Sequence, residues 1–295
     1  MRPALYIYGA AGRAWPAGDG PPDLKEELQA TWGKPFRRVN HFIELALVGA
    51  KSCLVGSREP LNPDCEVYLA TEHGNVADVA RITETIFKGR ESPMPLEFLN
   101  VPNNMAGFYV AQGLGLRSTN LTLAHRAFAF ESALELAAFN MSAGDQALVG
   151  GVDACAYPLD VHRRRLGLAA EAALAECSSW LHVGTAAEGA SARCEWVGFF
   201  PHRGGLLVHL EETHLPGDVR LAGGRGMDGA RLAALARAAG IDEHYDCRAT
   251  AHGDAHCAHA IASFIAGRRA QALLYVDRDP GDRYAAVCVS LTAPD

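Results

Sequence analysis

No apolar run in the 295 residues approaches the roughly 20 that a helix needs to cross a bilayer, so no membrane span is expected. No basic stripe is present either. Lys and Arg number 27 against 34 Asp and Glu, giving a net charge of −7 and a pI of about 5.9. Nucleic acid is therefore a poor partner, and an acidic protein would need a local basic patch to dock. Paired cysteines are missing too. Cys53, Cys65, Cys155, Cys177, Cys194, Cys247, Cys257 and Cys288 are scattered without a CxxC spacing, which predicts reduced core thiols rather than a disulfide framework. Gly9-Ala10-Ala11-Gly12 lacks the spacing and the placed acid of a dinucleotide loop. The start, Met1 to Gly9, reads as a strand rather than a leader, so a cytoplasmic location is expected.

What is present is apolar matter for a large core, with 49% hydrophobic residues and a mean hydropathy of −0.01. That suits one large domain or two packed halves. Leu5 to Tyr8 reads as a short strand ending at Gly9, followed by a Pro/Gly-rich loop from Trp15 to Asp23. Phe42, Leu45, Ala46 and Gly49 recur at helical spacing and predict a helix over 40–53. Strands are predicted over 66–71, 120–124 and 146–150. Helices are predicted from 75 to about 87, over 105–114 and, apolar on most faces, over 128–142. This alternation is that of a layered α/β domain. Residues 154–200 form a weak junction. Beyond it the pattern predicts strands over 219–223, 272–276 and 285–291, and helices over 228–239 and 260–267.

Five short motifs stand in order between Leu96 and Cys155. They are Phe98-Leu99-Asn100, Asn103-Asn104-Met105-Ala106-Gly107, Gly115-Leu116-Arg117, Asn120-Leu121-Thr122-Leu123-Ala124-His125, and Ala147-Leu148-Val149-Gly150-Gly151-Val152-Asp153. Together they resemble the core of a β-ketoacyl synthase, the condensing enzyme of fatty-acid and polyketide synthesis. Arg37-Arg38-Val39-Asn40-His41-Phe42 is similar to the segment that opens the family's first long helix, and Gly204 to Glu211 resembles the strand that follows its nucleophile half. The resemblance implies an α/β, thiolase-like layered αβαβα fold with two pseudo-related halves: a ketosynthase-like half over 1–155 and a reduced C-terminal half over 156–295. It covers most of the first half and matches the second only in outline.

In that family a cysteine opens the buried helix about 25 residues before a glycine pair, where helix N–H groups favour a thiolate and an oxyanion. Here the residue 25 before Gly150 is His125. Covalent catalysis requires an activated nucleophile and an oriented base, so no catalytic residue is expected, and His125 is expected to fill space and bond locally. The family's His-Gly-Thr does not occur. His252-Gly253-Asp254 is its nearest imitation, and His256 stands loosely in the place of the second family histidine. His252, His256 and His259 with Cys247 and Cys257 match no zinc spacing, so neither a metal nor a cofactor is expected.

The resemblance therefore implies a subunit of the chain-length-factor kind, similar to the small ketosynthase-like subunits of aryl-polyene pathways. Such a protein has no catalysis of its own. It pairs with an active ketosynthase in a heterodimer, meets an acyl carrier protein through that complex, and shapes the partner's acyl tunnel. Leu96 and Phe98 alternate in an expected extended run and would face the partner's tunnel. Asn103, Asn104, Asn120, Leu121, Thr122 and Leu123 would lie at the dimer interface. Arg163, Arg164 and Arg165, the densest basic cluster, are candidates for carrier or partner docking, although such a run is also a solvated face. A homodimer is the alternative assembly. The alternative function is a diverged acyltransferase or decarboxylase using His125 with His256.

Overall fold

In the computed structural model, which describes residues 4–292 apart from 214, 217, 242 and 245–255, the first strand is much longer than its apolar start suggests. β1 runs Leu5–Pro16. Gly9 and Gly12 sit inside it and mark close packing rather than a turn. A Cβ at Gly9 would strike the Cys53 carbonyl and Ser57, and one at Gly12 would press on the His259 ring.

The first repeat continues with α1 (Lys25–Trp32), α2 (His41–Val55), β2 (Glu66–Thr71) and α3 (Val76–Glu84), the last running into a π turn that ends at Gly89. Then come α4 (Pro95–Phe98), α5 (Asn104–Leu114), β3 (Asn120–Ala124), α6 (Ala129–Asn140), β4 (Gln146–Asp153), α7 (Leu159–Leu166) and β5 (Ala175–Gly184). The second repeat is β6 (Ala192–Phe200), α8 (Arg203–Glu212), β7 (Val219–Gly223), α9 (Gly229–Ala239), β8 (Glu243–His244), α10 (His256–Gly267), β9 (Ala272–Arg278) and β10 (Tyr284–Leu291). It carries three helices among the described residues against the first repeat's seven, so the C-terminal half is the reduced one.

The strands lie in the order β3-β2-β4-β5-β1-β6-β10-β9-β7-β8. Both repeats thus read third, second, fourth, fifth, first, outward to inward. In both, the fifth strand is antiparallel to its two neighbours and the remaining pairs are parallel. The repeats join where Leu5–Ile7 of β1 pairs with Ala192–Cys194 of β6. By strand order they meet between Gly184 and Ala192. A division at 155 would part β5 from β4 and β1, to which it is hydrogen-bonded.

Three cores separate the layers. One holds the inner faces of both sheet halves around α6 and α10, through Phe130, Leu134, Ile261 and Phe264. A second packs α2 and α5 on the outside of the first repeat. A third packs α8 and α9 on the outside of the second. The result is the αβαβα stacking the family resemblance implies. The sheet encloses α6 and α10 over most of their length and leaves only their ends solvated, which explains why α6 is rich in alanine.

Two segments differ from their sequence reading. Gly204 to Glu211 lies in helix α8 and is not a strand. His202 caps it, its Nδ1 accepting from the Gly205 amide at 3.1 Å, and Leu206 and Leu210 bury one face at i, i+4 spacing. The expected junction over 154–200 contains β5 and β6. Every residue of β5 is buried, including Glu176, Ser178, Ser179 and His182, so no apolar alternation marks it. No helix among the described residues is long and apolar enough to cross a membrane.

Candidate functional site

Parallel strands share a direction, so their C-terminal ends gather at one edge of the sheet, the usual place for a site in α/β folds. The ends of β2 and β4 are tied together by Asp153. Its Oδ1 accepts from Thr71 Oγ1 at 2.7 Å and from the amides of Glu72 and His73 at 3.0 and 3.1 Å. Asn103 braces the same turn by accepting from the Asn75 amide at 2.9 Å. From the second repeat, the loops after β7 and β9 interlock. Asp277 Oδ1 accepts from the Gly226 amide at 2.8 Å, and Gly226 passes so close to the Arg278 carbonyl that no Cβ fits. An ion pair of 2.8 Å between Arg225 and Glu72 joins the two repeats.

His125 closes this edge, but it does not open the helix. Its amide donates to the Thr71 carbonyl at 3.1 Å, continuing the β3–β2 ladder. The N-cap of α6 is Phe128, three residues later, in the left-handed region at φ 61°. His125 is therefore exposed on the approach to the helix, and its Nδ1 hydrogen-bonds the Ala127 carbonyl. The residue aimed inward from the first turn of α6 is Glu131, only 3% exposed. Burial, and secondarily the charge of Asp277, push its carboxyl up to about 8, against hydrogen bonds from its own backbone amide and from Cys257. It is neutral at pH 7. Sequence periodicity did not single it out, because a glutamate early in a helix reads as an ordinary first-turn acid.

Two cavities open at His125. The larger, about 650 Å³, reaches from Glu72 and Arg126 to the loops at Arg225 and Arg278. The smaller, about 380 Å³, is walled by Phe128, Phe199, Phe200 and Tyr284. His125, Ala127 and Arg283 line both. No cysteine lines either. The seven described cysteines are all buried, and burial pushes Cys53, Cys65 and Cys288 up to about 12, so none is a ready thiolate.

The structure separates the other expected site residues. His252 lies outside the described residues. His256 is the first residue of α10, at the same place in its repeat as the start of α6. Leu96 and Phe98 are in a helical turn, α4, and not in the expected extended run, so the alternation argument does not apply to this segment. Phe98 and the adjacent Leu99 are exposed at 48% and 58%. Of the three arginines, Arg163 donates to the Ala172 carbonyl and Arg164 pairs with Asp160, while Arg165 lines the larger cavity. β3 is the edge of the sheet. Leu121 on it is exposed, as are Phe108 on α5 and Phe139 on α6, the helices packed beside it. Asn120 Oδ1 and Thr122 Oγ1 are buried atoms without a hydrogen-bond partner.

No family model matches the sequence, and no curated protein matches it. The fold, by contrast, has many solved counterparts. The ishigamide ketosynthase/chain length factor superposes with a TM-score of 0.78 at 15% identity, covering 98% of this chain and 100% of that one. A type II polyketide ketosynthase in complex with its acyl carrier protein, AntDE:AntF, gives 0.71 at 12% identity, covering 99% and 100%. A β-ketoacyl synthase from Burkholderia phymatum gives 0.71 at 13% identity, covering 99% and 100%. The chain has the thiolase-like fold of the ketosynthases and chain length factors.

Proposed function

We propose that this protein is a non-catalytic ketosynthase-like subunit of the chain-length-factor type, which pairs with an active β-ketoacyl synthase and shapes its acyl tunnel. The observation that carries this reading is the junction between β3 and α6. The place of an activated thiolate holds an exposed imidazole, a left-handed Phe128 cap and a neutral buried Glu131. None of these supplies the thiolate that condensation needs. The ketosynthase/chain length factor likeness supports it.

The surface for the partner is β3 with the exposed apolar side chains around it. An edge strand with free backbone groups seeks a neighbour, and unpartnered Asn120 and Thr122 atoms ask for donors. A ketosynthase offering its own edge strand would continue the sheet pseudo-symmetrically, over an obligate interface of about 2,000 Å² or more. Phe98 and Leu99 then reach across toward the partner's tunnel, and the carrier protein docks on the pair.

His125 lines both cavities, which is what favours the second reading, an acyltransferase or decarboxylase using His125 with His256. Co-expression with a candidate ketosynthase decides. Co-purification in one-to-one ratio with no acyl adduct on this chain supports the subunit. A stable monomer that turns over an acyl thioester alone overturns it.

A further inference from the structure

We infer that the connection between α2 and β2 is an acid-released strap, held on the sheet by the buried imidazole of His182. His182 stands on β5 and is fully buried. Leu181 and Val183 on either side of it face the inner core, so the imidazole points to the outer layer, where α2 packs. Its Nδ1 lies 2.8 Å from Ser57 Oγ, in the turn after α2, and its Nε2 lies 3.2 Å from Gln146 Oε1, at the start of β4. Gln146 also holds the far end of the connection. Its Oε1 accepts from the Asn62 amide at 2.7 Å, and its Nε2 donates to the Pro60 carbonyl at 3.1 Å. Between these anchors the Arg58 amide donates to the Tyr8 carbonyl at 3.1 Å. Residues 57–62 are thus tied across the start of β4 and the end of β5, at the sheet edge opposite His125.

The partners fix the protons. A backbone amide only donates and a carbonyl only accepts, so Asn62 and Pro60 set the orientation of the Gln146 amide. Gln146 Oε1 offers His182 only a lone pair. His182 therefore carries its proton on Nε2, and Nδ1 accepts from the Ser57 hydroxyl. A second proton on the ring takes the Nδ1 lone pair. The Ser57 hydroxyl must then turn to the Glu59 carbonyl, 3.1 Å away and part of the strap itself, and a cation is left buried. The titratable groups against the ring are Tyr8 on β1, edge-on with centroids 5.3 Å apart, and Cys53 on α2, whose sulfur meets the His182 backbone. Burial raises both, so both are neutral in acid. Glu59 on the strap bears on Tyr8, whereas burial is what acts on His182, pushing it down to about 4. A folded pKa below the unfolded one means that the hold is complete above pH 6.5 and is lost as pH falls from there towards 4. The same edge carries the passage from the first repeat to the second, where the Tyr8 hydroxyl donates to the Ala186 carbonyl at 2.9 Å and accepts from the Ala186 amide at 3.2 Å. Release of the strap uncovers that joint. The device belongs to this chain alone and stands whether or not it pairs with a ketosynthase.

Hydrogen exchange of the full chain, corrected for the intrinsic rate at each pH, tests this between pH 7 and 4.5. The opening that exposes His182 should become about fifty times more populated over that range, read as faster exchange in peptides spanning 57–62, while the β9 amides keep their protection. His182→Gln keeps a donor and an acceptor but takes no charge, and its strap exchange should lose this pH dependence. Ser57→Ala, at a half-buried position, should raise strap exchange about fivefold already at pH 7. Nitrogen NMR of the wild-type imidazole reads the proton directly, with Nε2 protonated and Nδ1 bare at pH 7 and no titration near 6.5. A ring that titrates near 6.5 overturns the strap. So does strap exchange that is flat with pH, an undiminished pH dependence in His182→Gln, wild-type exchange in Ser57→Ala, or β9 opening in step with residues 57–62.

Discussion

Replacing Glu131 with Gln should stabilise the protein, and by an amount that depends on pH. The carboxyl is buried in the first turn of α6 beside Cys257 and Asp277, and its pKa is raised from 4.5 to about 8. A folded pKa above the unfolded one means that the native state holds a proton which the unfolded chain releases. Stability is then intact below pH 4.5 and is lost progressively as pH rises through 8. At about 1.36 kcal/mol per unit the full loss is at most ~5 kcal/mol, a large part of the usual 5–15 kcal/mol of a domain. Glutamine keeps the shape and the polar contacts but has nothing to ionise. We expect the variant to match wild type within about 1 kcal/mol at pH 4.5 and to exceed it by about 2–5 kcal/mol at pH 8. Urea unfolding of both proteins at pH 4.5, 6 and 8 measures this. A stability difference that stays constant across that range would refute the reasoning, because it would mean that Glu131 carries the same charge folded and unfolded.

Three other outcomes follow from the same physics. His41 forms an ion pair with buried Glu176 at the start of α2. Burial lowers its pKa, but the hydrogen bonds to Glu176 and Glu44 outweigh this and bring it to about 9. The pair's contribution, about 1–3 kcal/mol, is present below pH 6.5 and lost as pH rises through 9, so His41→Gln should cost most near pH 6 and little at pH 10 in the same unfolding assay. Gly150 faces the Trp180 ring with no room for a Cβ, so Gly150→Ala should cost about 1–3 kcal/mol or more by overpacking, read as a lowered melting temperature. In a reconstituted pair, Phe98→Ala should lengthen the products by one or two extensions, since each buries two methylenes worth roughly 1.6 kcal/mol, and unchanged lengths from a folded variant would remove Phe98 from the tunnel.

Much of the fold is legible along the chain because β2, β4, α2 and α6 each carry an unmixed pattern. Val67-Tyr68-Leu69-Ala70 lies between polar and glycine breaks, and Phe42, Leu45, Ala46 and Gly49 at helical spacing mark α2. β5 is hidden because its buried Glu176, Ser178, Ser179 and His182 find partners from distant elements, His41 and Ser57 among them, which local sequence does not show. α8 is misread because Leu206, Leu207 and Val208 form a short apolar run that suits a strand or a helix, and the His202 cap decides it. The site is partly legible. His125 stands out by spacing, and Arg165 by its cluster. Glu131, Arg126 and Phe199 do not, since what sets them apart is burial or convergence from both repeats, and both are properties of the folded chain.

The central claim is that this chain completes a ketosynthase without performing its chemistry. Intact-mass spectrometry of the co-purified pair, after incubation with an acyl-loaded carrier protein and then denatured, addresses it directly. The account predicts equal amounts of the two chains, with the acyl mass on the partner alone and this chain at its unmodified mass. An acyl adduct on His125 or on a cysteine of this chain would contradict it.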